Sequence, residues 1–150
     1  MTQQIADVLI YTEKKYYIYA EPLSSYLKEV DLPYPLVAPN TACWRGYYAM
    51  YVVQNHKLFL TEWRGYIRDY MKVGMEYLFP GESFVFADWF TGYIPIEELG
   101  NHVAGNGPCS IYEGQLMLQF DKGILVREFE DWLPKKEVKR LKEEEKNLPF

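Results

Sequence analysis

Trp44-Arg45-Gly46-Tyr47 recurs as Trp63-Arg64-Gly65-Tyr66, and the stretch between the copies constrains the fold more than any other. Tyr47 to Val53 and Leu58 to Trp63 are dense in aromatic and β-branched residues, which suit half-buried strands. Asn55-His56 lies between them, and Asn tolerates the left-handed backbone of a tight turn. A two-residue turn there pairs Val53 with Leu58 and Tyr51 with Leu60. Carried on, the same register sets Gly46 opposite Gly65 and Tyr48 opposite Trp63. A slip of one residue would turn every side chain to the other face. In either register the two copies meet at the open end of one hairpin.

The remaining chain reads as more of the same architecture. Asp7 to Tyr11 and Tyr16 to Ala20 form an N-terminal hairpin around Thr12 to Lys15. Leu23, Tyr26, Leu27 and Val30 are spaced for a short helix. Pro33, Pro35 and Pro39 make Asp31 to Asn40 a connection. Ile67 to Phe79 is ambiguous, since Tyr70, Val73 and Tyr77 fit a helical face that Gly74 weakens. Phe84 to Ala87 is a strand that Asp88 to Gly92 extends. Tyr93 to Ile96 follows as an edge strand or a strand end because of Pro95. Gly100 to Pro108 reads as a flexible loop. Cys109 to Tyr112, Gln115 to Phe120 and Ile124 to Phe129 read as an antiparallel meander, turning at Glu113-Gly114 and at Asp121-Lys122-Gly123. Pro134 opens a charged helix with Val138 and Leu141 as its narrow apolar stripe.

These elements imply a mainly β (α+β) domain. The expected form is an antiparallel curved sheet or partly closed barrel of about eight strands. Residues 1–133 make the β-rich body and residues 134–150 a peripheral C-terminal helix. A chain of 150 residues is long enough to bury roughly 68–70% of its unfolded surface without disulfides or metal.

Aromatic residues make up 17% of the chain, with 14 Tyr, 8 Phe and 4 Trp. Such side chains suit a β core, a ligand cleft or an interface alike. The net charge is −5, and because residues 134–147 hold six basic and four acidic side chains, the rest carries −7. An acidic body argues against nucleic acid as partner. No stretch approaches the length and apolarity of a membrane span, and the N-terminus lacks a secretory pattern. Cys43 and Cys109 are then expected as reduced thiols in a cytoplasmic protein.

The doubled phrase is the first candidate site. Its arginines offer forked donors for carboxylate or phosphate, and Trp44, Tyr47, Trp63 and Tyr66 offer flat apolar walls. The structural alternative makes the rings core and spends Arg45 and Arg64 on rings or on carboxylates such as Glu62 and Asp69. Asp88, between Ala87 and Trp89, is the second candidate. A buried lone Asp can serve as acid or base, but an ion pair with Arg45 or Arg64 is the favoured reading. No second carboxylate at defined spacing supports glycosidase chemistry. His56 sits at a turn tip. His102 and Cys109 are a poor nucleophilic pair, since Cys109 enters a strand. No metal-ligand spacing and no phosphate-loop ending occur, so neither metal nor cofactor is expected.

Several stretches together carry a resemblance: Trp44-Arg45-Gly46-Tyr47, Asn55 to Leu60, Phe86 to Gly92, Ser110 to Glu113 and Gly123 to Val126. In that order the chain resembles a group of small uncharacterised bacterial proteins, over about residues 43–126. The resemblance implies a bacterial, cytosolic origin and transfers no site. Three function classes remain in view. A non-catalytic binding or interaction protein, taking a small anionic ligand or an acidic peptide, is the expected one. A small enzyme using Asp88 and a homo-oligomer joined through its aromatic surface are the alternatives.

Overall fold

The computed structural model describes residues 4–147. The strands are β1 (Asp7–Tyr11), β2 (Lys14–Ile18), β3 (Tyr47–Gln54), β4 (Lys57–Ile67), β5 (Met71–Val73), β6 (Val85–Phe86), β7 (Gly92–Ala104), β8 (Ile111–Asp121) and β9 (Ile124–Trp132). The helices are α1 (Ser24–Glu29), α2 (Met75–Leu78) and α3 (Lys135–Lys146). One nine-stranded sheet runs in the order β2-β1-β3-β4-β9-β8-β7, with β5 and β6 also paired to β4. It is mixed rather than purely antiparallel, because β1 runs parallel to β3. No ladder joins β7 to β2 among the described residues, so the sheet does not close.

Three hairpins turn on pairs of residues with positive φ: Thr12-Glu13, Asn55-His56 and Lys122-Gly123. Such turns match the right-handed twist of the strands they join. The long meander differs from its sequence expectation. Residues 100–104 are not a loop but the end of β7, and β8 runs unbroken through Glu113-Gly114. Gly114 is there for space rather than for a turn. A Cβ on it would meet the Trp132 ring at 2.6 Å. The ambiguous 67–79 stretch resolves into a single 3₁₀ turn, β5 and α2.

The central hairpin carries an irregularity that decides where the functional candidates point. Val53 pairs with Leu58 and Tyr51 with Leu60, but Met50 pairs with Glu62 and Ala49 with Trp63. Thr61 is the extra residue of a β-bulge, and its hydroxyl donates to the Met50 carbonyl at 3.2 Å. Tyr48 therefore faces Arg64 and Tyr47 faces Gly65, one residue away from the expected register. The reason lies in β4 itself. Leu58 and Leu60 are buried, and strict alternation would next carry Glu62 and Arg64 inward. The bulge rephases the strand so that Trp63, Gly65 and Ile67 go in instead.

The buried core contains Leu9, Ile18, Tyr51, Leu58, Leu60, Trp63, Ile94, Leu118 and Phe120. An aromatic stack of Tyr26, Phe79 and Trp89 packs against it, and the Trp89 indole donates to the Pro22 carbonyl at 2.9 Å. The charged helix α3 packs on β7, where Glu145 accepts from the Gly105 N–H at 3.2 Å.

Candidate functional site

The two copies of the repeated phrase meet at the open end of the β3–β4 hairpin. The Tyr66 N–H donates to the Gly46 carbonyl at 2.9 Å. The Tyr48 and Tyr66 rings meet edge to face at 6.0 Å, and Tyr47 stacks on Trp63 at 6.3 Å. The phrase does not act as a unit, however, because its halves are inverted. Trp44 is 62% exposed while the Arg45 side chain is 11% exposed. In the second copy Trp63 is buried and Arg64 is exposed.

Local backbone explains the inversion. Trp44 and Arg45 precede β3 in a turn, held by bonds from Cys43 N to Asn40 O and from Gly46 N to Cys43 O. Gly46 follows at φ +79°, with the Val37 carbonyl 2.9 Å from where a Cβ would sit. A side chain there meets both a strained backbone and a filled space. Strand alternation starts only at Tyr47, whereas the second copy lies wholly inside β4.

Arg45 is consumed inside the fold. Its Nη2 donates to Asp7 Oδ1 at 2.7 Å and its Nη1 to the Ile5 carbonyl at 2.8 Å. Its Nε lies 3.8 Å from Glu21, and its guanidinium lies over the Tyr47 ring. Asp7 is 1% exposed and also accepts from the Ala49 N–H at 3.0 Å. Its Oδ2 has no hydrogen-bond partner among the described residues. Burial raises the Asp7 pKa to about 6, against the opposing pull of Arg45 and the Ala49 N–H. Burial also opposes the Arg45 charge, but Asp7, Tyr47 and Glu21 hold its pKa above the usual value. Burial, then Asp7, pushes the Tyr47 and Tyr51 phenols up, so both stay neutral. Arg45 is thus spent in an ion pair, but with Asp7 and not with Asp88, Glu62 or Asp69.

Asp88 does not fill the role expected of it. It is exposed, and among the described residues it makes no ion pair with Arg45 or Arg64. Trp89, its neighbour, belongs to the aromatic stack on the core. Neither Glu62 nor Asp69 pairs with an arginine among the described residues. His56 is exposed at its turn tip. The His102 ring bonds to the Gly105 carbonyl at 2.6 Å and packs edge-on against Tyr112.

Arg64 is the candidate left with an open outlook. It stands on the outer face of β1, β3 and β4, beside a groove of about 570 Å³. Ile5, Val8, Tyr48, Met50 and Glu62 line that groove with it. The ladder places Met50 between Val8 and Glu62, and Tyr48 beside Arg64. Arg64 forms no ion pair among the described residues. A guanidinium with fixed donors, a phenol ring and an apolar floor can hold a carboxylate or phosphate with an apolar body. Trp44 stands apart, on a slot of about 470 Å³ with Gln4, Tyr19, Glu21 and Arg45.

Sequence reasoning missed Asp7, Tyr48 and Met50 as parts of these two centres. A signal for Asp7 was present, since it shares the inward phase of Leu9 and a carboxylate placed inward demands a partner. Among the described residues no cluster of His, Cys, Asp or Glu could hold a metal ion. No helix there is long and apolar enough to cross a membrane. No family model matches the chain, and neither a curated protein nor a solved structure matches it.

Proposed function

We propose that this is a non-catalytic binding protein whose outer-face groove takes a small anionic ligand through Arg64. The observation that carries the reading is an exposed guanidinium without an ion-pair partner among the described residues, beside a tyrosine in an apolar-floored groove. Arg64 supplies the forked donors, Tyr48 a flat wall, and Val8 and Met50 the floor. Glu62, beside Met50 in the same groove, disfavours densely charged anions and suits a ligand with one carboxylate or phosphate. An acidic peptide end would present the same group. The unbridged thiols Cys43 and Cys109 support a reducing, cytoplasmic setting.

Thermal unfolding with inorganic phosphate, citrate and a short acidic peptide tests this. A ligand at a hundredfold excess over its Kd adds about 2.7 kcal/mol, which raises Tm by roughly 5–10 °C in a chain of this size. Arg64→Ala should keep the unliganded Tm within about 2 °C and lose the ligand-induced rise. A ligand that stabilises wild type and Arg64→Ala equally would sink the proposal.

A further inference from the structure

We propose that the open edge of β9 is a docking site for an extended basic segment of a partner protein, added as a further strand. One edge of β9 is paired with β8 from Ile124 to Trp132 except at Val126, where the register shifts. The other meets β4 only at its start, through Lys57↔Ile124 and the Leu125 N–H on the His56 carbonyl. From Val126 to Trp132 the second edge has no backbone partner among the described residues, and six of these seven residues are exposed. That leaves about 23 Å of strand at ~3.3 Å per residue, with donors and acceptors open to water.

The charges on this edge choose the occupant. Glu128, Glu130 and Asp131 stand against one cation, Arg127. Arg127 does not neutralise them, because its Nε donates to Gln119 at 2.8 Å and its guanidinium stacks on Phe129 at 3.9 Å. Glu128 and Glu130 pair with Leu118 and Leu116, so they share one face two residues apart. Glu130 accepts from the Trp132 indole at 3.0 Å, and the Tyr11 hydroxyl lies beside Glu128. Neither contact supplies positive charge.

A second copy of the chain fits badly. Antiparallel pairing of β9 with itself, centred on Phe129, sets Glu128 of one copy against Glu130 of the other. Moving the centre to Glu128 sets Glu128 against Glu128. Like charges directly opposite destabilise a ladder. A strand with Lys or Arg at alternate positions would instead answer Glu128 and Glu130 on one face while its backbone completes the ladder. The carboxylates thus reject self-pairing and select a basic partner.

The probe is a fluorescent, acetylated peptide of alternating lysine and valine, followed by anisotropy and amide hydrogen exchange. Binding should slow exchange at Val126 to Trp132. Glu128→Gln/Glu130→Gln should weaken it about tenfold, since each opposite-charge pair contributes roughly 0.2–1 kcal/mol over neutral, and Glu128→Lys/Glu130→Lys should weaken it further. Methylating alternate peptide nitrogens should abolish binding, because the ladder needs those donors. Unchanged β9 exchange with bound peptide would overturn the proposal. So would equal binding of the methylated peptide, or a stable β9–β9 dimer in sedimentation.

Discussion

Trp63→Ala is expected to lower the unfolding free energy by about 3–5 kcal/mol, while Trp44→Ala changes it by no more than about 0.5 kcal/mol. The two tryptophans occupy the same place in identical four-residue phrases, so composition does not separate them. Burial does. Trp63 is 4% exposed and lies between Tyr47 at 6.3 Å and Tyr77 at 6.4 Å, while Trp44 is 62% exposed. The Trp63 ring also covers Gly65, where a Cβ would come within 2.3 Å of its Cη2. Gly65→Ala should therefore cost roughly 1–3 kcal/mol by overpacking. In the Trp63→Leu/Gly65→Ala double variant the two costs should fall short of their sum, because the smaller ring-free side chain makes room for the methyl. Urea unfolding of the set measures all of this. Additive costs in the double variant, or a Trp44→Ala loss comparable to that of Trp63→Ala, would show that the ring does not sit on Gly65 as described.

Much of the sheet was legible because hairpin chemistry is local. Thr12-Glu13, Asn55-His56 and Lys122-Gly123 all turn where polar residues interrupt β-prone runs, and mainly β architecture followed. What escaped was information held by distant parts of the chain. Gly114 looks like a turn residue until Trp132, from the neighbouring strand, is seen to need its missing side chain. The parallel pairing of β1 with β3 depends on a crossover through α1 and a proline-rich connection, which carries no periodicity of its own. The Thr61 bulge was partly readable. Leu58 and Leu60 set one phase and Trp63 and Ile67 the other, so an unbroken ladder would have buried Glu62 and Arg64. Reading that phase change would have predicted that Arg64 faces out. The partner of Arg45 was harder, since Asp7 lies 38 residues away in sequence and only the topology brings them together.

Asp7→Asn and Asp7→Ala should separate the two roles of the buried carboxylate. Asn keeps an acceptor for the Ala49 N–H and Arg45 Nη2, which lie 3.0 and 2.7 Å from Asp7 Oδ1. Ala leaves both donors orphaned in the interior, one of them charged, and should be less stable than the Asn variant by about 3 kcal/mol. The charge itself shows in the pH dependence. Asp7 titrates near 3.8 when unfolded and at about 6 when folded, chiefly because burial disfavours its anion. Between those values the folded chain holds a proton that the unfolded chain has released. Unfolding then sheds a proton, so the contribution of Asp7 to stability is whole below pH ~4 and falls as pH rises through 6. At ~1.4 kcal/mol per pH unit the loss is on the order of 3 kcal/mol, constant above about pH 7. Wild type and Asp7→Asn should thus be nearly equal at pH 4, and the Asn variant should lead increasingly up to neutrality. Arg45 tolerates the neutral partner because the Ile5 carbonyl and Glu21 remain beside it. Urea midpoints of both proteins across pH 4–7.5 supply the measurement. A wild-type advantage that grows with pH would mean that the Arg45 pair outweighs the cost of burial.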